Sequence, residues 1–388
     1  MKRLTALITT SCALALIVSG LLAFTGMQPA QAAKEPYVIG AVFDASGPAA
    51  PLGVPEQDTI KMLAKQLNAL GGINGHPVRV VIYDNASDEA QSVMAVKKLI
   101  ESDHVLAIIG PSQTGTTLAA AQTVGAAGVP MISCAAGIKI VSPVKPWIFK
   151  TAQSDVSAVA RVIDYLRANR ISKIAVISVA NAFGDSGKAQ LEAQGKAARI
   201  QIVAEESFGD KDTDMKAQLM RIRSRAPQAV VCWGTNPGPA IVAKNMQALG
   251  MKVPLIMSHG VANKKFIELA GNAANGVVFP TGKLNVAEAL SNGDDQKKVL
   301  LLYAATFKRE YNRDADGFGG YAYDAFQLIV QALKKVGPDR GKLRAELEKS
   351  RMVGVSGVFR FNAADHNGLG KDAFVMVKVI NGKWIPVR

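Results

Sequence analysis

Two short segments rich in glycine and hydroxyl side chains follow apolar runs of the strand type. Residues 110–117 (GPSQTGTT) follow a predicted third strand at 107–109, and residues 133–137 (SCAAG) end a predicted fourth strand at 130–133. In parallel α/β sheets, ligands bind beyond the carboxyl ends of the strands, where helix N-termini offer unpaired amides. Such amides, together with threonine hydroxyls, suit a carboxylate. The alternative is that these hydroxyls only cap the following helix.

Signatures of catalysis are incomplete in this chain. The segment 317–322 fits the pattern G-x-G-x-x-A, but it follows a polar loop and not a strand, so it lacks the βα turn of a dinucleotide site. The segment 110–115 resembles a nucleophile elbow with one residue too many. The four histidines lack metal-binding spacing. Asp84 and Asp88 could form a carboxylate pair, but a turn with two solvated acids explains them equally well. The sequence therefore predicts no enzyme, no cofactor and no metal site.

The elements that position the two segments alternate regularly along the chain. Strands are predicted at 38–43, 78–83, 107–109 and 130–133, with helices between them at about 60–70, 90–100 and 116–127. The same alternation restarts after residue 150 and continues to a strand at 277–279. This rhythm predicts two α/β halves with parallel sheets.

The last hundred residues depart from that rhythm. Long helices are predicted at 296–311 and 321–336 and a shorter one at 342–350, followed by a hairpin on the turn Asn381-Gly382. We expect the helices to return to the first half and the hairpin to join the second.

Length and composition agree with two exported domains. The chain has 388 residues, 49% of them hydrophobic and 20% charged, enough for two ordinary cores. Its net charge of +14 is spread along the chain, which argues against nucleic-acid binding. Lys2-Arg3, an apolar stretch and the triplet Ala30-Gln31-Ala32 predict a signal peptide over residues 1–32. The alternative is an uncleaved membrane anchor.

An ordered set of sequence landmarks carries a family resemblance. The set is GAVFDASGP from Gly40, GGING from Gly71, YDN from Tyr83, IGP from Ile109, GVP from Gly128 and SHGVAN from Ser258. The chain resembles the periplasmic solute-binding proteins of branched-chain amino-acid-type ABC importers, the leucine/isoleucine/valine-binding family, over essentially all of its mature length.

The resemblance implies a type I periplasmic-binding-protein fold, with two α/β lobes joined by three crossovers. Lobe 1 is then expected over 33–150 and 281–361, and lobe 2 over 151–280 and 362–388. The ligand is expected between the lobes. Hinge closure on the ligand, a periplasmic location, importer permease subunits as partners and a monomeric state follow from the same resemblance. A receptor that signals to a membrane protein is the alternative function.

The resemblance also implies site residues, one by one. Thr114 and Gly115 take the place of the carboxylate-binding residues, and Ala135, Ala136 and Gly137 come from the next loop. Phe183 occupies the position of an aromatic residue that covers the ligand, whereas Thr235 and Leu52 stand where aromatic residues are usual. Cys134 and Cys232 are expected on different lobes, as free thiols.

The most informative departure is His259. It stands where family members that bind amino acids have the acid that neutralises the ligand's ammonium group. A neutral histidine cannot do that, so we expect a carboxylate without an α-ammonium, with aromatic or branched aliphatic acids favoured. Trp233 is either a pocket wall or core. Another acid, such as Asp185 or Asp44, that turned inward would restore amino-acid binding.

Overall fold

The computed structural model describes residues 34–387, and the predicted signal peptide lies outside these described residues. The first lobe is built on a five-stranded parallel sheet of order β2-β1-β3-β4-β5. Its strands are β1 (Tyr37–Phe43), β2 (Val78–Asp84), β3 (Ala107–Ile109), β4 (Met131–Ser133) and β5 (Ile148–Lys150). The helices between them are α1 (Ala50–Ala69), α2 (Glu89–Glu101) and α3 (Thr114–Ala127).

The second lobe repeats the parallel winding and adds an antiparallel hairpin. Its seven-stranded sheet has the order β14-β13-β10-β9-β8-β6-β7. The parallel strands are β6 (Lys173–Val179), β7 (Gln201–Phe208), β8 (Ala229–Trp233), β9 (Leu255–Met257) and β10 (Val278–Gly282). The helices of this lobe are α4 (Asp155–Ala168), α5 (Ala182–Ala197), α6 (Lys216–Ser224), α7 (Gly238–Ala248) and α8 (Lys264–Ala270).

The last part of the chain adds helices to the first lobe and two strands to the second sheet. Three helices follow β10, and α10 packs along α1 of the first lobe. They are α9 (Lys297–Tyr311), α10 (Gly317–Val336) and α11 (Arg340–Leu347). A small hairpin, β11 (Arg351–Val353) with β12 (Val358–Arg360), comes next. The chain then returns to the second sheet as β13 (Phe374–Ile380) and β14 (Lys383–Val387), both antiparallel to their neighbours.

Both sheets are buried on both faces, which requires nearly continuous apolar strands. In β1, Ile39 and Val42 point to opposite faces, and each is fully buried in a different apolar cluster. In β6, Ala175 and Val176 do the same in the second lobe. The carboxyl ends of these parallel strands carry the loops that the sequence singled out.

Several elements differ from the predicted ones. Helix α1 begins at Ala50, ten residues before the predicted apolar spacing, because Pro51 is tolerated in a first turn. Helix α3 begins at Thr114 and not at residue 116. The prediction missed the short elements β5, α8, β11 and β12 altogether.

Within residues 34–387 no helix is both long and apolar enough to cross a membrane. The same part of the chain holds no group of three or more His, Cys, Asp or Glu side chains arranged to bind a metal ion.

Candidate functional site

A cavity lies between the two lobes, where loops from both sheets face each other. The volume open to the centres of water-sized spheres is about 40 Å³, so the cavity is narrow in this arrangement of the lobes. Its first-lobe wall consists of Leu52, Ser112, Gln113, Thr114, Cys134, Ala136, Phe318 and Tyr321. Its second-lobe wall consists of Asn181, Phe183, Thr235, His259 and Gly260. A wider groove elsewhere on the surface is more open and lined by charged side chains such as Lys264 and Arg313.

The N-terminus of helix α3 forms the polar end of the first-lobe wall. Its N-cap residue, Gln113, makes no capping hydrogen bond with its side chain. The amides of Thr114, Gly115 and Thr116 therefore have no acceptor within the helix. Thr114 is 2% exposed, and its hydroxyl accepts a hydrogen bond from the amide of Gly137 at 3.2 Å. Because the hydroxyl acts as acceptor there, its proton is left to donate to a ligand.

The side chain of Asp44 accepts hydrogen bonds from the backbone amides just before this helix. Its Oδ2 accepts hydrogen bonds from the amides of Ser112 and Gln113, at 2.9 and 3.1 Å. Burial raises the pKa of Asp44 to about 6, although these hydrogen bonds act in the opposite direction. Behind it, the Ser112 hydroxyl contacts the buried carboxyl of Glu56, whose pKa burial raises well above its usual range. One oxygen of Asp44, Oδ2, is thus engaged inside the first lobe, whereas Oδ1 is buried without a hydrogen-bond partner.

On the second lobe, the N-terminus of helix α5 is closed by its own cap. The Asn181 side chain accepts hydrogen bonds from the amides of Phe183 and Gly184, at 3.0 and 3.1 Å. The ring of Phe183, 9% exposed, lines the cavity. Asp185 follows in the first turn of α5 and is exposed to solvent. Neither Asp185 nor Asp44 lines the cavity.

His259 lies in a short 3-10 turn (His259–Val261) after β9, held by the side chain of Ser258. It is 3% exposed, and neither of its ring nitrogens has a hydrogen-bond partner. Three aromatic rings surround it: the centroids of Phe183, Trp233 and Phe374 lie 5.6, 6.0 and 5.3 Å from its own. Burial lowers the pKa of His259 to about 3, assisted by the positive charge of Lys150. The imidazole is therefore neutral at physiological pH.

Trp233 belongs to the core and not to the cavity wall. It is fully buried in the second lobe, and its indole lies against Gly187 of α5. A β-carbon at residue 187 would come within 2.0 Å of the indole nitrogen, so only glycine leaves room for this ring.

The structure brings together six of the nine residues that the sequence singled out: Leu52, Thr114, Ala136, Phe183, Thr235 and His259. The other three take different positions. The α-carbon of Gly115 faces Glu89 of α2, Ala135 is buried in the first-lobe core, and the α-carbon of Gly137 packs against Thr114. Cys134 and Cys232 are buried free thiols, and Cys134 lines the cavity.

Phe318 and Tyr321 are lining residues that the sequence analysis missed. Both lie in the glycine-rich first turns of α10, the segment that resembled a dinucleotide fingerprint. The glycines there serve packing, because a β-carbon on Gly319 would meet the Tyr303 hydroxyl at 2.3 Å. The Tyr321 hydroxyl donates to Gln153 at 2.9 Å, which ties this wall to the segment that leaves β5.

Two polar contacts join the lobes along the wider groove. The side-chain amide of Asn263 donates to the carbonyl of Pro51 at 3.2 Å. The ammonium of Lys264, at the start of α8, pairs with Asp314 in the loop before α10. The lobes therefore touch each other along this groove.

Comparison with known proteins agrees with this architecture. A Leu/Ile/Val-binding protein of Rhizobium johnstonii is 24% identical over 311 residues, 79% of this chain and 81% of that protein. The crystal structure of an extracellular ligand-binding receptor from Rhodopseudomonas palustris superposes with a TM-score of 0.86 at 23% identity, covering 91% of this chain and all of the other. A solute-binding protein of an ABC transporter from the same species, in complex with benzoate, gives a TM-score of 0.79 at 21% identity, covering 91% and 95%.

The two solved structures show the fold, which confirms the predicted type I two-lobed architecture. The sequence model of the periplasmic binding protein family matches residues 36–383. The chain therefore belongs to the periplasmic binding protein family, and its predicted resemblance to the leucine/isoleucine/valine-binding type is confirmed.

Proposed function

We propose that this protein is the periplasmic solute-binding component of an ABC importer and that its cargo is a small carboxylate without an α-ammonium group. The observation that carries the proposal is the contrast across the cavity. One wall offers uncapped helix amides and the Thr114 hydroxyl, and the facing wall offers a neutral histidine and no acid.

The carboxylate is assigned to the N-terminus of α3. Three amides without helical acceptors point out of this end, and the helix dipole favours a negative charge there. Thr114 adds a hydroxyl that is almost completely buried. The apolar side chains of Leu52, Phe183 and Phe318 then flank the body of the ligand, and Thr235 and His259 lie on the second-lobe wall.

An α-ammonium group would find no carboxylate on the wall of this cavity. A buried ammonium needs a carboxylate or several acceptors to offset its lost hydration. The lining residues include no Asp or Glu, and the Asp44 carboxylate is held by two backbone amides.

The named relatives support both an amino acid and an aromatic acid as the general type of ligand. The Rhizobium johnstonii relative is a Leu/Ile/Val-binding protein, and the R. palustris structure holds benzoate. For this chain the aromatic ring of Phe183 and the absence of a lining acid favour aromatic or branched aliphatic acids over amino acids.

Delivery is proposed to work by hinge closure. The lobes, divided at 150/151, 280/281 and 361/362, close on the ligand, and the ligand stabilises the closed form by as much as it binds that form better. Membrane subunits of the importer then recognise the closed monomer. Small-angle scattering with and without saturating ligand is expected to show a smaller radius of gyration in the bound state, and an equal radius contradicts closure.

Titration calorimetry on the purified mature protein tests the ligand class. The ligands are leucine, isoleucine, valine and phenylalanine, each beside the acid that lacks its amino group. The expected result is binding of one or more of the deaminated acids and none of the amino acids. Micromolar binding of an amino acid without binding of the acids overturns the proposal.

A further inference from the structure

The imidazole of His259 is the least satisfied buried group on the cavity wall. Both ring nitrogens lack partners, although the residue is 3% exposed. Buried polar atoms in native proteins nearly always have a hydrogen-bond partner, and leaving one unpaired is costly. This orphaned ring therefore points to a partner that is absent from the protein itself.

The protein around the ring cannot supply that partner. Phe183 and Phe374 meet it with ring edges or faces and carry no acceptor. The indole nitrogen of Trp233 lies against Gly187 and is also without a partner. Both ring nitrogens are buried, and His259 is one of the residues that line the cavity. A partner for His259 must therefore enter through the cavity, as ligand or as water.

The protonation state of the ring limits what that partner is. A neutral imidazole has one N–H donor and one nitrogen acceptor. A hydroxyl both donates and accepts, so it pairs with whichever nitrogen faces it. An ammonium only donates and a carboxylate only accepts, so each can pair with just one kind of ring nitrogen. Either would also bring a buried charge against a second-lobe wall that has no charged side chain.

We propose that the ligand is a hydroxylated carboxylic acid whose hydroxyl group, distant from the carboxylate, hydrogen-bonds to His259. This inference rests on the proposed function, since it takes the carboxylate to lie at the N-terminus of α3. The N-terminus of α3 then binds the carboxylate, and His259 binds the hydroxyl group of the same small molecule. His259 is a specificity-determining residue, because an acid without the hydroxyl leaves both ring nitrogens unpaired.

Calorimetry with matched acids tests this assignment. The pairs are benzoate with 3- and 4-hydroxybenzoate, and phenylacetate with 3- and 4-hydroxyphenylacetate, so that ligand length and hydroxyl position both vary. In the wild-type protein the best hydroxylated acid is expected to bind about five- to a hundredfold more tightly than its parent. In His259→Phe this preference is expected to vanish while the parent acid still binds. In His259→Gln, which keeps a donor and an acceptor, part of the preference is expected to return.

The outcomes separate this inference from the proposed function. If the parent acids bind as tightly as every hydroxylated acid, water satisfies His259 and the inference is wrong, whereas the carboxylate assignment stands. If the preference survives in His259→Phe, the hydroxyl is recognised elsewhere and the inference is wrong. If no acid binds at all, both the inference about His259 and the proposed function are wrong. Melting curves of the unliganded variants show whether a lost preference reflects misfolding.

Discussion

The helices α3 and α5 both begin at the cavity, one on each lobe, but their N-termini are used differently. In α5 the Asn181 side chain accepts hydrogen bonds from the amides of Phe183 and Gly184, so the helix satisfies its own first turn. In α3 the cap residue Gln113 gives no side-chain hydrogen bond, so the amides of the first turn have no acceptor from their own cap. Under the proposed function, the capped helix would present side chains to the ligand, whereas the uncapped helix would present backbone amides.

This difference indicates a division of labour between the walls. Under the proposed function, the first lobe would recognise the acid group that every carboxylate ligand shares. The second lobe, with Phe183 and His259 on the cavity wall, would select among carboxylates by what the rest of the molecule carries.

The substitution Thr114→Val is expected to have the largest effect on acid binding at the N-terminus of α3. The valine keeps the shape but removes the hydroxyl that we assign to the carboxylate. Loss of a hydrogen bond to a charged group is expected to weaken acid binding by about 1.5–3 kcal/mol, roughly ten- to a hundredfold, in titration calorimetry. Thr117→Val is the matched control, because Thr117 lies on the same helix but does not line the cavity. Its hydroxyl forms a hydrogen bond with the hydroxyl of Ser133 in β4, at 2.8 Å. Equal affinities for Thr114→Val and the wild type place the acid group elsewhere.

The second test concerns the pH dependence of His259. Its pKa is about 3 in the folded protein against 6.5 for the free side chain, so the unfolded state binds more protons between these values. The free energy of unfolding therefore contains a term that rises with pH across that window, by up to about 1.4 kcal/mol per pH unit. Denaturant unfolding from pH 4 to 6 is expected to show a slope lower by about that amount in His259→Phe. Parallel curves for the two proteins mean that the wild-type ring is not buried neutral.

Removing the cap on the second lobe should affect stability more than binding. Asn181→Ala leaves the amides of Phe183 and Gly184 without their acceptor and is expected to lower the free energy of unfolding by about 1 kcal/mol. Acid affinity is expected to fall less than in Thr114→Val, since the carboxylate is assigned to the other helix. A loss of affinity that matches the Thr114→Val loss would remove the distinction between the two N-termini.

The smallest effect is expected at Asp44, beside the open end of α3. Its pKa of about 6 leaves it mostly ionised at pH 7.5, where its charge opposes an anionic ligand. Acid affinity is therefore expected to rise a few-fold as the pH falls from 7.5 to 5.5, while ordinary carboxylic acids remain ionised. Asp44→Asn keeps an oxygen to accept from Ser112 and Gln113 and should bind more tightly at pH 7.5, with a flatter pH profile. The same pH profile in both proteins excludes Asp44 as the source.

The fold was predictable where the sequence repeats a simple physical pattern. Apolar runs such as 38–43 and 174–179 are strands because both faces of each sheet are covered. Three-residue elements such as β5 carry too few residues for any period to appear. The start of helix α3 was predicted two residues too late. Its first turn contains threonine and glycine, which are weak helix formers and therefore do not indicate a helix in the sequence.

The site was only partly predictable, for a different reason. Thr114, Phe183 and His259 follow strand ends in the sequence, so their meeting at the cavity could be inferred. Phe318 and Tyr321 reach it from a helix about 200 residues further along the chain than Thr114, which no local pattern signals. The engagement of Asp44 with Ser112 and Gln113 also depends on contacts between distant segments.

The contacts between Asn263 and Pro51 and between Lys264 and Asp314 have a consequence for selectivity. If the lobes close on the ligand as proposed, contacts made by the protein alone also shift the population of unliganded molecules toward the closed arrangement. Every 1.4 kcal/mol gained in this way raises the apparent affinity for all ligands about tenfold, until the closed form predominates. This gain does not depend on chemical identity, so it helps a poor ligand as much as the right one. Stronger bridges would make the receptor more sensitive without making it more discriminating, and they would increase the fraction of empty receptor that resembles a loaded one.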